Sequence, residues 1–464
     1  MKKSKASRKL SESQAAEALR LKPLAAVLAS ASLLAITAQP VFAQSNDKAD
    51  QLERVVVTAT TQAKTKMRSS VSVTDIDGET LKDFNPQSES QALLLIPGIR
   101  TDAQNLAGGN SNISVRGLPI ASGGAKFVQL QEDGLATVQF GDMNFSNNDY
   151  WIRYDINVDR IQALRGGSAS TFASHAPGAV INYISKTGKE QGGSIGLGMG
   201  LNYKEYKLDG EYGGKLGSDQ YYHIGGYFRM GEGPRDTTAN SLKGYQIKGN
   251  FTQEFNSGKG YIRAYVKLLD EHAPTTAQTF TGSSSFDPGR GSQYSQYNSS
   301  VPGVDIVTRA AKTTSLTDGI SVNSKSLGFE FHNEFNGGFL LDNKFRVSQN
   351  SGAFNAQFWN VRTFADLMGD SFNGAKPTKG VYLNGPMAGQ TVAGTTLVSN
   401  GAAIDTQTPD MGNTINDLSF GKAFKFDGGS AEVKGGFYYS KQNVVQRWSI
   451  SERVVEAKQN GAVI

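Results

Sequence analysis

The chain has 464 residues, more than one ordinary core absorbs, so at least two folded units are expected. Its net charge of +5 invites a nucleic-acid partner, yet seven Lys/Arg against two acids fall within residues 1–43, and the remaining 40 bases balance 40 acids. No basic stripe is left to hold phosphates, and the lack of cysteine excludes disulfides, thiol nucleophiles and cysteine-based zinc sites.

The N-terminus reads as a secretory signal peptide over residues 1–43. A basic stretch precedes the apolar run Leu24–Ala38, and Val41-Phe42-Ala43 offers a small-residue cleavage site before Gln44. Fifteen helical residues reach only about 22 Å, short of the roughly 30 Å of a hydrocarbon core, so a membrane anchor is the poorer reading. Next comes Leu52–Thr60, whose Val55, Val56, Val57 and Thr58 favour an extended strand, followed by the polar stretch Gln62–Ser70.

Four further segments stand out. Gln91–Ile99 is an apolar helical run ending in Pro97-Gly98. Ile113-Ser114-Val115-Arg116-Gly117 is a strand carrying an Arg-Gly pair, and Gln131-Glu132-Asp133-Gly134 ends in a turn dipeptide. Asp159–Lys186 places a small-residue turn between two strand-like runs, Asp159–Arg165 and Ala179–Ile184. In this order the segments resemble the plug domain of TonB-dependent outer-membrane receptors, with Leu52–Thr60 similar to the TonB box of that family. Gly166-Gly167, Phe172-Ala173 and Gly178-Ala179 depart from the family pattern but keep small residues, which suggests a divergent subgroup.

From Gly192 onward, short segments alternate in polarity. Tyr206, Leu208, Tyr212 and Leu216 oppose Glu205, Lys207, Asp209, Glu211 and Lys215. Ile262, Ala264, Val266 and Leu268 oppose Tyr261, Arg263, Tyr265 and Lys267. Phe339, Leu341, Phe345 and Val347 oppose Leu340, Asp342, Lys344 and Arg346. Period-two alternation fits a soluble sandwich or a transmembrane barrel, and the plug-like module ahead of it favours the barrel. About ten strands are expected, with tight turns at Gly337-Gly338 and Gly428-Gly429 and long connections over Ala273–Ser321 and Gly352–Asn413. Ten strands close at a diameter near 20 Å, whereas a plug of about 130 residues needs roughly 35 Å and 22 strands give about 44 Å. The chain is therefore expected to be a C-terminally truncated piece of a 22-stranded barrel, in keeping with a C-terminus, Ala462-Val463-Ile464, that lacks an aromatic residue.

The expected fold is mainly β: an α+β plug inside an antiparallel transmembrane barrel. Its divisions are a signal peptide (1–43), TonB box and tether (44–70), plug (71–188) and partial barrel (189–464). The resemblance implies TonB-driven import across the outer membrane of a scarce bulky nutrient, a ferric siderophore first and an oligosaccharide or vitamin second. A passive or adhesive barrel is the reading from another class. By resemblance, Arg54, Val55, Val56, Val57, Thr58, Ala59 and Thr60 would pair with TonB as an added strand. Arg116 and Arg165 would meet carboxylates of the barrel wall. Gln104, Asn105, Asn110, Asn112, Phe140, Phe145 and Tyr150 would touch ligand through amides and aromatic faces. The histidines His175, His223, His272 and His332 lack metal-ligand spacing, and no acid–base constellation stands out. Neither a cofactor nor an enzymatic activity is expected.

Overall fold

The structure, a computed structural model, describes residues 72–102, 107–118, 127–139, 148–166, 173–174, 176–233, 240–275, 294–371 and 376–464, and the backbone of Val55–Val56 and Lys64–Thr65. Among these residues no helix is long and apolar enough to cross a membrane.

In the N-terminal part, β1 (Val55–Val56) pairs antiparallel with β2 (Lys64–Thr65). An inner domain then forms from β3 (Val73–Asp77), α1 (Gly78–Phe84), α2 (Glu89–Ala92), β4 (Ile99–Asp102), β5 (Asn112–Val115), β6 (Val128–Glu132), β7 (Leu135–Ala136), β8 (Val158–Arg165) and β9 (Ala179–Ser185). Its main sheet runs β3-β8-β9-β6-β7, parallel between β6 and β9 and antiparallel elsewhere, while β4 and β5 make a separate hairpin. Asp77 caps α1, its Oδ1 accepting the Thr80 N–H at 2.7 Å, and Asn85 ends the helix in a left-handed conformation. The Asp133-Gly134 dipeptide, with φ of 51° and 88°, closes the β6–β7 hairpin as a type I′ turn. Leu81, Leu93, Ile96, Ile113, Leu130, Ile152, Ile161, Ile181 and Tyr183 form the buried core between helices and sheet.

The outer sheet comprises β10 (Gly192–Met199), β11 (Glu205–Gly217), β12 (Gln220–Gly231), β13 (Leu242–Phe255) and β14 (Gly260–Ala273). A hairpin of β15 (Ser300–Val304) and β16 (Ala311–Ser315) lies in the following connection. The sheet continues through β17 (Ile320–Phe335) and β18 (Phe339–Gln357). Another connection holds β19 (Val361–Thr363), α3 (Phe364–Met368) and β20 (Leu397–Ser399). The sheet then resumes with β21 (Ala402–Asp410), β22 (Asn413–Phe426), β23 (Gly429–Gln442) and β24 (Val445–Glu452), and β25 (Val455–Glu456) joins β20.

The long strand β18 pairs with β21 along its upper part and with β22 along its lower part, and β24 and β23 follow the same division. β21 with β22, and β23 with β24, are each one spanning strand with a break, so among the described residues the wall has nine spanning strands, in line with the expected count of about ten. Among the described residues the sheet does not close. Turns at Gly217–Gln220, Phe255–Gly260, Phe335–Phe339 and Phe426–Gly429 lie at one rim, and the long connections lie at the other. The expected alternation holds: Tyr206, Ile262, Val266, Phe345 and Val347 are exposed outward, while Glu205, Asp209, Lys267 and Arg346 are buried inward.

Candidate functional site

The inward wall meets the inner domain along a seam of buried charges. Asp149–Val158, the irregular stretch before β8, crosses close to the wall because Tyr150 and Trp151 pack there. They cluster with Leu269, Ile320, Val322, Phe354, Ile404 and Met411, and the Trp151 indole N–H donates to the Ser351 carbonyl at 2.9 Å. That packing delivers Arg153, 3% exposed, to Glu271 of β14. Its Nε donates to the Glu271 carboxylate, and its Nη1 donates to the carbonyls of Asp149, Tyr150 and Ile152.

Glu271 also accepts from the Tyr227 hydroxyl at 3.1 Å and faces Arg229 at 3.7 Å; Arg229 in turn donates to the Gln87 carbonyl at 3.0 Å. Glu89 lies behind Arg153, with Nη1 only within 3.9 Å of it, and accepts the Gly109 N–H at 2.7 Å. Gly108, at φ +85°, must be glycine here, since a Cβ would come within 2.2 Å of the Glu89 carboxylate. Burial pushes the Glu89 carboxyl up to about 8, against the opposing pull of Arg153 and with a smaller push from Asp149. Burial pushes Asp149 up as well.

A second centre forms at the tip of the β6–β7 hairpin. Glu132 accepts from Lys267 at 2.5 Å and lies 3.4 Å from Lys248. Burial alone would raise this carboxyl, but Lys267, Lys248 and Arg346 outweigh it and hold it at about 2. Lys344 donates to the Asp133 carbonyl at 2.7 Å, and Arg346 donates to the carbonyls of Leu135 and Ala136. Elsewhere the seam is open: a cleft of about 490 Å³ separates α1 from β11, with Asp75, Glu79, Lys82 and Glu211 on its walls.

Residues 65–180 match the family profile described as TonB-dependent Receptor Plug Domain. The inner domain is a plug domain of the TonB-dependent receptor kind. The chain is 26% identical over 204 residues to the ferric enterobactin receptor of Pseudomonas aeruginosa, covering 41% of this chain and 26% of the relative. It is 29% identical over 239 residues to the vitamin B12 transporter BtuB of Vibrio cholerae, covering 48% of this chain and 36% of the relative. The solved pyoverdine outer membrane receptor FpvA from Pseudomonas aeruginosa, bound to pyoverdine, shares the fold. Its TM-score is 0.53 at 16% identity, over 87% of this chain and 50% of that one. The matches thus span about a quarter to a half of those proteins' own lengths. The family is one of receptors and transporters rather than enzymes.

The plug residues named from sequence distribute unevenly over this geometry. Arg116 and Arg165 do not reach the wall among the described residues. Arg116 donates to the Ser72 hydroxyl at 3.2 Å, and Arg165 donates to the Pro97 carbonyl and to Thr74 Oγ1 at 2.6 Å. They sit side by side because both Arg-Gly pairs end strands on the same edge of the plug. Burial and the neighbouring Arg116 lower the pKa of Arg165. Tyr150 is fully buried in the plug–wall cluster, which removes its ring from any ligand surface. Asn110 is buried and left-handed (φ 57°), and Asn112 is half-buried in β5.

Val55 and Val56 lie in the short ladder with Lys64 and Thr65 instead of on an unpaired tether. Arg54, Val57, Thr58, Ala59, Thr60, Gln104, Asn105, Phe140 and Phe145 lie outside the described residues. The residues that do join plug to wall were given no such role from the sequence. Lys267 and Arg346 carried the one usable signal, a cation on the inner face of an alternating strand.

Proposed function

We propose that the protein is an active importer of the outer membrane, in which the plug closes the lumen until energy supplied by TonB shifts it. The seam carries this reading: Arg153–Glu271 and Glu132–Lys267 are buried ion pairs between an inner domain and an outer sheet joined by one short stretch of chain. A buried pair holds firmly while intact and strands a charge when broken, at a cost of several kcal/mol. That suits a stopper which must resist thermal motion yet yield to a pull. Export through the signal peptide of residues 1–43, and strand pairing of Arg54–Thr60 with TonB, belong to the same proposal.

A ferric siderophore is the leading cargo, supported by the relative named a ferric enterobactin receptor; the relative named a vitamin B12 transporter supports a vitamin as the second reading. Growth of a deletion strain under iron limitation tests the first, and growth dependent on the vitamin tests the second. Loss of neither would reject both cargoes. The TonB step has its own test. Val56→Pro removes a backbone donor and is expected to abolish uptake while leaving ligand binding intact. Undiminished uptake would remove the strand-pairing role.

A further inference from the structure

The second centre of the seam crowds cations together, and one of them has no carboxylate of its own. Lys248 and Lys267 are direct cross-strand partners on β13 and β14, both facing inward, an arrangement that like charges ordinarily oppose. Two strands further on, Arg346 lies opposite Gly328, which itself lies opposite Tyr265. Arg263 and Lys344 flank the patch and share one carboxylate, Glu330, at 2.9 and 3.2 Å. Glu132 is divided between Lys267 and Lys248, and the Asp133 carboxylate is taken up by the Ser185 N–H and hydroxyl at 2.8 and 2.9 Å.

Arg346 is different. It is 3% exposed, no carboxylate of the described residues lies within ion-pair distance of it, and its Nε has no described hydrogen-bond partner. Its other contacts here are two peptide carbonyls. The other carboxylates nearby are engaged elsewhere, Asp155 by Asn157 and Gln246 and Asp417 opposite Lys344, so none of them answers Arg346 directly. An unbalanced buried charge is costly unless something neutralises it.

Arg346, Lys248, Lys267, Arg263 and Glu132 line a cavity of about 20 Å³. That is room for one small occupant, given that a single water needs about 10–15 Å³. We propose that this cavity binds one small monovalent anion, chloride in ordinary media, as a counter-ion sealing the plug hairpin to the wall. The unpartnered Arg346 Nε and the Lys248–Lys267 pair supply the donors. The site does not depend on which cargo is carried, or on whether cargo is carried at all.

The test uses the full chain in detergent at constant ionic strength, so that general screening is unchanged. Crystals grown with bromide in place of chloride are expected to show an anomalous bromine peak beside Arg346. In parallel, the melting midpoint should be about 2 °C or more higher in chloride than in gluconate, which is too large for the cavity. Arg346→Gln should lose that difference. Should this variant fail to fold, Lys248→Met carries the melting arm, and the bromine arm needs no variant. Absence of a peak in the cavity, as when a water fills it, overturns the proposal. An equal chloride–gluconate difference in the wild type and the variant overturns it too.

Discussion

Arg153 concentrates the mechanical logic of the seam in one side chain. It is buried, its charge is answered chiefly by Glu271, and its carbonyl contacts fix the turn from which it projects. Arg153→Met would leave the buried Glu271 with only the Tyr227 hydroxyl and the more distant Arg229. The expected loss of stability is about 3–5 kcal/mol, read as a lower urea midpoint of the detergent-solubilised protein. Glu89 adds a pH dependence of definite sign. Its folded pKa, about 8, lies above the ordinary 4.5, so its contribution is complete below pH 4.5 and is lost as pH rises through 8. Glu132 acts in the opposite sense: its folded value is about 2, so its contribution is present above pH 4.5 and disappears as pH falls toward 2. Melting scans should therefore fall between pH 4.5 and 8, and Glu89→Gln should flatten that limb while leaving the acid limb in place.

Elements with local signals were legible; those set by distant neighbours were not. The turn dipeptides Pro97-Gly98 and Asp133-Gly134 stand where the sequence placed them, because Gly98, Asp133 and Gly134 take positive φ and the ring of Pro97 pre-sets its own. The two runs of Asp159–Lys186 became β8 and β9 for the same local reason. Asp149–Val158 carries no periodicity, so nothing local announces that it presents Arg153 and buries Tyr150; only the wall decides that. The arginines of the two Arg-Gly pairs meet Ser72, Thr74 and Pro97 among the described residues, since a strong motif says where a residue sits and not which group it meets. Two element-scale substitutions follow from the local rules. Asp77→Ala should cost about 1 kcal/mol by uncapping α1. Gly134→Ala should cost about 1–2 kcal/mol, since alanine resists the φ of 88° that the hairpin tip requires. Both are measurable as shifts in the urea midpoint, and a neutral Gly134→Ala would mean that the tip can re-form without its I′ turn.

The whole molecule separates its two chemistries by face: charge inward against the plug, apolar side chains outward. Leu327, near the middle of β17, is 56% exposed on the outer face. An arginine there should cost about 2–4 kcal/mol in a lipid bilayer, where a water-soluble sheet would tolerate it. Comparing the folding yield of Leu327→Arg with the parent in lipid vesicles tests this; equal yields would deny that this face meets lipid. The strand count was nearly legible because alternation survives in every spanning strand. The breaks that split β21 from β22 and β23 from β24 blurred it, since a break inside a strand looks like a turn between two.

The 19 residues of β18 bear on the surroundings of the cell. At about 3.3 Å per residue and a tilt near 40°, such a strand rises roughly 48 Å, almost twice the apolar band of about 25 Å. In the outer-membrane placement proposed above, the excess stands on the long-loop side as a parapet above the lipid. In that placement, a large particle drifting toward the surface would meet the rim of β18 and β21 before any headgroup.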